Sequence, residues 1–201
     1  MTPIARVIIA GIAAVFAVSG SVPSYAQSSQ IEEALKPKPR TRSIGAPAPN
    51  PADQKVLQKA RTRAISIEAV APASKEERDE IAKVIVGKPK IDIAIFFDYN
   101  SDVIGPKAVG AVNELGVALL SPALKGSTIL LNGHTDAAGS PDYNLALSHR
   151  RAQSVRKYLI NTFKIPEDRL LVAGFGFERL KLPNQPLAGE NRRVEVVNTS
   201  N

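Results

Sequence analysis

The chain has 201 residues, of which 44% are hydrophobic and 22% are charged, a composition suited to one modest folded domain with appended segments. It contains no cysteine, which excludes disulfide bonds, thiolate metal sites and a lipidated N-terminal cysteine. The net charge of +7 is concentrated in residues 27–74, with eight basic against four acidic side chains. Residues 91–198 contain twelve basic and eleven acidic side chains. This nearly balanced charge argues against nucleic acid as a partner.

Residues 1–26 have the pattern of a secretory signal peptide. Arg6 is their only charged residue, residues 7–18 are an apolar run, and Ser24-Tyr25-Ala26 is a small-x-small cleavage site. The apolar run is well short of the ~20 residues that cross a bilayer as a helix. We therefore expect an exported protein whose mature chain begins near Gln27; an uncleaved anchor or a buried helix is the alternative.

Residues 27–74 form a basic segment that contains six prolines. Such a composition buries too little apolar surface to offset the entropy of ordering, so it predicts a largely disordered, partly extended linker. Its positive charge suits contact with an anionic lipid surface or polymer, and a solvated spacer is the alternative. Two islands within it, residues 31–35 and 56–67, are candidates for helices that form when a partner is present.

The pattern of ordered elements begins after Ser74. Ser74 and Glu77 fit a capping box, which predicts a short helix within residues 75–90 that leads into the main domain. Within residues 91–198 we predict the order strand–helix–strand–helix–strand–strand, with strands at 91–97, 128–131, 169–173 and 192–197. This βαβαββ order favours an α/β (α+β sandwich) domain in which the helices pack on a small mixed sheet.

The stretch 129–155 carries the best candidate site, because a buried strand is followed by a polar loop and a long helix. Asn144 and Arg151 are seven residues apart, close to two helical turns, so they share one helix face. Asp136 lies in the loop before that helix. A carboxylate near a guanidinium and an amide suits a ligand with both an ammonium and a carboxylate, such as an amino acid headgroup. The alternative to a ligand site is structural: Asp136 and Arg151 form an ion pair with each other, or Asp136 only caps the turn.

Other kinds of site have weaker support. His134 and Asp136 are a partial metal-ligand set, but the chain has only one further histidine, His149, so we favour a structural His134 that closes the loop by hydrogen bonding. Ser148 lies inside a helix and has no nucleophile-elbow motif around it. We therefore expect no catalytic residue, no metal and no cofactor.

Taken together, five segments closely resemble the OmpA-like peptidoglycan-binding domain of Gram-negative envelopes. They cover about residues 90–198 and are FFDYNSDVI (96–104), NGHTDAAG (132–139), YNLALSHRRAQSVRKYL (143–159), RLLVAGFG (169–176) and NRRVEVV (191–197). The resemblance implies a non-catalytic domain in the periplasm or cell envelope, associated with the outer membrane, that binds the meso-diaminopimelate of the peptidoglycan stem peptide. It implies that Asp136 faces the ammonium and Arg151 the carboxylate, with Asn144, Asn100 and Arg192 as further ligand-binding residues.

The approach to the last strand, residues 188–191, is shorter than in many members of this family, and this puts the role of Arg192 in question.

For an envelope domain of this kind, we expect the basic linker 27–74 to contact the outer-membrane surface or another envelope protein. Two alternatives remain open. One is an envelope interaction protein whose main partner docks on residues 27–74, and the other is a wall-peptide hydrolase with His134 and Asp136 as metal ligands.

Overall fold

A computed structural model describes residues 24–37, 50–65, 71–95, 97–98 and 100–200. Its helices are α1 (Ser24–Leu35), α2 (Pro51–Ile65), α3 (Lys75–Val84), α4 (Pro106–Leu119) and α5 (Pro141–Phe163). Its strands are β1 (Lys90–Ile93), β2 (Ile129–Gly133), β3 (Leu170–Gly174) and β4 (Val194–Asn198). The predicted signal sequence lies outside the described residues up to position 23, and α1 begins at Ser24, ahead of the predicted cleavage site.

The four strands form one mixed sheet in the order β1-β4-β2-β3. Strands β2 and β3 are parallel, and β4 runs antiparallel to both β1 and β2. The predicted α/β class and the βαβαββ order of residues 91–198 are confirmed. Strand β1 ends at Ile93 and not at residue 97 as predicted, so the chain leaves the sheet earlier and forms a longer loop before α4.

One face of the sheet holds the larger core, because alternate strand residues point to opposite faces. Leu131 and Val196 pack on this face against α4 and α5, through buried residues such as Leu115 and Val155. Helix α4 begins with Pro106 in its first turn, where a missing N–H costs no helical hydrogen bond. Helix α5 is capped by Ser140, whose side chain accepts from the Tyr143 N–H.

The opposite face of the sheet is covered by α2 and α3. Leu130, Leu171 and Val197 pack there against small or apolar helix residues, including Ala60 and Ile81. The capping box predicted at the start of α3 is present, with reciprocal bonds between Ser74 and Glu77. Both faces of the sheet are therefore covered by helices.

Residues 27–74 differ from the expected extended linker where the structure describes them. Helices α1 and α2 form at the two predicted islands, and both pack against the domain. Leu35 is fully buried in the larger core, and its carbonyl accepts a hydrogen bond of 2.9 Å from the Asn198 amide. On α2, Lys59 and Arg63 form ion pairs with Glu77 of α3. The physical reason is burial: tertiary packing stabilises short helices that composition alone leaves marginal.

Residues 38–49 and 66–70 of this segment lie outside the described residues. The proposed division into signal peptide 1–26, linker 27–74, lead-in helix 75–90 and domain 91–198 stays a prediction. Among the helices that the structure describes, none has the length and apolar character needed to cross a membrane.

Candidate functional site

A polar cleft of about 390 Å³ lies at the end of the sheet where β1, β2 and β3 finish and β4 begins. Its walls come from the loop after β1, the loop between β2 and α5, the first turns of α5 and the residues before β4. The cleft is lined by Phe97, Asp98, Asn100, Thr135, Asp136, Ala138, Gly139, Tyr143, Asn144, Leu147, Arg151 and Arg192. All five residues predicted to bind a ligand are among them, although they span 93 positions of the chain from Asn100 to Arg192.

The loop between β2 and α5 is fixed by its backbone. The N–H groups of His134, Thr135 and Ala137 each donate a hydrogen bond of 2.9 Å, to the carbonyls of Arg193, Gly176 and Pro186 respectively. These acceptors lie in three other segments, so the loop cannot move alone without breaking bonds to them. The side chain of Asp136 is therefore presented from a rigid backbone.

Gly133 allows α5 to approach this loop closely. A Cβ atom at this position would lie 2.0 Å from the backbone oxygen of Ser148 in α5, a distance that no side chain can accept. The hydroxyl of Ser148 also accepts a 2.9 Å hydrogen bond from the Gly176 N–H. Helix α5 is thus held directly behind the loop, which brings its own cleft residues next to Asp136.

The carboxylate of Asp136 has two different environments. Its Oδ1 atom accepts a 3.2 Å hydrogen bond from the Ala138 N–H, a local turn contact. Its Oδ2 atom is 2.6 Å from Nη1 of Arg192. The hydrogen bond that caps the turn therefore involves only one of the two oxygens. The ion pair that Asp136 forms is with Arg192, and not with Arg151 as the alternative proposed.

Arg151 is a buried cation at the base of the cleft, only 8% exposed. Its Nε donates to the Ser101 carbonyl at 3.1 Å and its Nη2 to the Asp98 carbonyl at 3.5 Å. Its guanidinium carbon lies 5.0 Å from the centre of the Phe97 ring, a cation–π contact. Burial lowers the pKa of Arg151 below its usual range. Among the described residues, no carboxylate forms an ion pair with it.

The two asparagines shape the cleft through bonds within the protein. The Asn144 side chain is buried, and its amide donates to the carbonyls of Ala138 and Ser140 at 2.7 and 3.2 Å. Asn100 has a positive φ of 52°, which asparagine tolerates better than most residues. Its Oδ1 accepts a hydrogen bond from the Tyr143 hydroxyl. Both asparagines thus hold other parts of the rim in place.

His134 is structural, but not in the way predicted. Its ring is buried and stacks on Phe175, with 5.6 Å between ring centres. Neither ring nitrogen has a hydrogen-bond partner among the described residues, so stacking and not hydrogen bonding holds the ring. Burial, together with the nearby Arg193, lowers the pKa of His134 to about 3. Within the described ranges, no cluster of three or more His, Asp or Glu residues could hold a metal ion.

Phe97 and Tyr143 are lining residues that sequence reasoning did not single out. Phe97 was expected within the first strand, and only the early end of β1 lets its ring reach Arg151. Tyr143 precedes Asn144 on α5 and bonds to Asn100 across the cleft. The sequence offered a weak signal for both residues, because each aromatic residue directly precedes a polar residue that lines the cleft, Asp98 or Asn144.

The fold and the cleft define a small α/β domain with a charged site at one end of its sheet. Residues 96–193 match the OmpA family, and this part of the chain belongs to it. The peptidoglycan-associated lipoprotein of Pseudomonas aeruginosa is 35% identical over 105 residues, which are 50% of this chain and 59% of that protein. Outer membrane protein A of Escherichia coli O157:H7 is 37% identical over 82 residues, which are 41% and 23% of the two chains.

Solved structures include similar domains. The crystal structure of the peptidoglycan-associated lipoprotein from Burkholderia pseudomallei is 24% identical, with 52% of this chain and 88% of that one covered, at a TM-score of 0.45. The chain covers less than two thirds of each of the two relatives named above.

Proposed function

We propose that this domain binds peptidoglycan non-covalently, through the meso-diaminopimelate of the stem peptide, and so tethers or organises the Gram-negative envelope. The observation that carries the proposal is a buried guanidinium, Arg151, that has no carboxylate partner in the part of the chain that the structure describes, in the same open cleft as a rigidly held carboxylate, Asp136. The family of residues 96–193 and the name of the Pseudomonas relative support peptidoglycan as the ligand.

Arg151 is the proposed carboxylate-binding group. A buried charge is costly unless it is paired, and backbone carbonyls accept only part of the five N–H donors of a guanidinium. Phe97 and the carbonyls of Asp98 and Ser101 fix the plane of the group. A fixed planar fork with unused donors is well matched to the two oxygens of a carboxylate.

Asp136 is the proposed ammonium-binding group. Its Oδ1 accepts from the Ala138 N–H. Within the described ranges, its Oδ2 contacts the exposed side chain of Arg192, which a ligand can move. The diaminopimelate side chain ends in an amino acid headgroup, with an ammonium and a carboxylate on one carbon. One headgroup can therefore engage Asp136 and Arg151 together, while Asn144 and Asn100 maintain the walls of the cleft.

This function needs no covalent step, because ion pairs and hydrogen bonds hold the ligand. We accordingly propose a non-enzymatic protein of the periplasm or cell envelope that acts near the outer membrane. The basic residues of 27–74 are the part that we propose contacts the outer-membrane surface or another envelope protein. Because α1 and α2 pack on the domain, a partner that contacts these two helices would meet them beside the domain.

The test is sedimentation with purified sacculi of the diaminopimelate type. Asp136→Asn and Arg151→Met should each weaken binding by about 2–5 kcal/mol, because each removes the charge that pairs with one end of the ligand headgroup and leaves that end desolvated without its counter-charge. Asp142→Asn and Arg150→Met are matched controls, since both change a charge on α5 outside the cleft lining. If the two cleft variants keep their fold and still sediment as the parent does, the proposal is wrong.

A further inference from the structure

The carboxylate that would receive the ligand ammonium is already occupied by a side chain of the protein. Asp136 Oδ2 and Arg192 Nη1 are 2.6 Å apart, so an incoming ammonium competes with this guanidinium for the same oxygen. Building on the proposed function, we propose that Arg192 determines the specificity of the cleft. It acts as an exchangeable counter-ion of Asp136 that a zwitterionic headgroup displaces readily and a simple amine does not.

The two arginines of the cleft differ in freedom. Arg151 is held by two backbone carbonyls and a ring, whereas the Arg192 side chain is 49% exposed and its contact to Asp136 lies at its far end. The backbone next to Arg192 is nevertheless fixed. Asn191 is fully buried, accepts from the Leu182 N–H and donates to the Gln185 carbonyl. Arg192 can therefore swing its guanidinium without disturbing the loop from which it extends.

A small residue beside Arg192 leaves its guanidinium room. A Cβ atom at Gly189 would lie 3.0 Å from Arg192 Nη2, tighter than ordinary van der Waals contact. The glycine thus accommodates the guanidinium in its paired position.

The charge balance of the cleft explains why a zwitterion is favoured. Its charged lining consists of two carboxylates, Asp98 and Asp136, and two guanidinium groups, Arg151 and Arg192. A simple amine that displaces Arg192 adds a positive charge and leaves that guanidinium without its carboxylate. A headgroup with its own carboxylate keeps the cleft neutral and offers the released Arg192 a new partner beside Arg151.

Three small molecules separate the contribution of the ligand's ammonium groups from that of its carboxylate groups. meso-Diaminopimelate has both ammonium and both carboxylate groups, cadaverine has the same five-carbon diamine without the carboxylates, and pimelate has the carboxylates without the amines. The parent should bind diaminopimelate and discriminate against the other two. In Arg192→Met the affinity for cadaverine should rise about two- to fivefold, because a partly exposed competing ion pair is removed. The affinity for diaminopimelate should fall about tenfold, because a charged hydrogen bond is lost.

The measurement is an NMR titration of each ligand into the parent, Arg192→Met and Lys181→Met. Lys181 is a matched control because its side chain is 48% exposed and pairs with an aspartate, Asp92, outside the cleft lining. A lower ratio of diaminopimelate to cadaverine affinity in Arg192→Met alone supports the proposal. An unchanged ratio in Arg192→Met, with diaminopimelate still bound by the parent, overturns the role of Arg192 and leaves the proposed function intact. Failure of the parent to bind diaminopimelate overturns both.

Discussion

Replacing His134 by phenylalanine should remove a large part of the acid sensitivity of folding. The folded protein holds the pKa of His134 at about 3, mainly through burial, against 6.5 for an unperturbed histidine. Below pH 6.5 the unfolded chain therefore binds a proton that the folded chain does not. As the pH falls below 6.5, the loss of free energy of unfolding approaches about 1.4 kcal/mol per pH unit, which amounts to roughly 2 kcal/mol between about pH 6.5 and pH 4.5.

Phenylalanine suits this experiment because it keeps the stacking contact with Phe175 and has no titrating group. It also removes two buried nitrogens without partners among the described residues, so stability near neutral pH should be equal or higher. Urea unfolding of both proteins at the two pH values gives the comparison. Carboxylates titrate in both proteins, so the difference between the two pH dependences isolates His134. If both lose the same stability between these pH values, the burial argument is wrong.

Two further predictions concern packing. Leu35→Ala should lower the free energy of unfolding by about 2–5 kcal/mol, because Leu35 is fully buried; parental stability in urea would mean that α1 does not dock. Gly133→Ala should lower the melting temperature strongly, because its Cβ would meet the Ser148 backbone oxygen at 2.0 Å. Gly126→Ala is the control, since its Cβ would meet nothing within 4 Å; equal melting temperatures for the two variants would contradict the close packing of β2 on α5.

Features set by neighbouring residues were predictable from the sequence. The capping box at Ser74 and Glu77 depends on a spacing of three residues, and it is present. Asn144 and Arg151 share a helix face because seven residues are nearly two turns, and both line the cleft. Helical geometry converts such spacings into positions without reference to the rest of the fold.

Features that depend on strand order could not be predicted in the same way. Arg192 reaches Asp136, 56 residues earlier in the chain, only because β4 inserts between β1 and β2. The local sequence around Asp136 therefore suggested Arg151 as its partner. Similarly, the composition of residues 27–74 predicted an extended linker, since the apolar surface that stabilises α1 and α2 belongs to distant elements.

Titration of isotope-labelled protein with meso-diaminopimelate, followed by backbone NMR, asks directly whether the amino acid headgroup binds in the cleft. We expect the amide signals around the cleft to shift, including those of Ala138 and Arg151, and these shifts to be lost in Asp136→Asn. No shifts at millimolar ligand in a folded protein, or shifts confined to residues away from the cleft and unaffected by Asp136→Asn, would contradict this expectation.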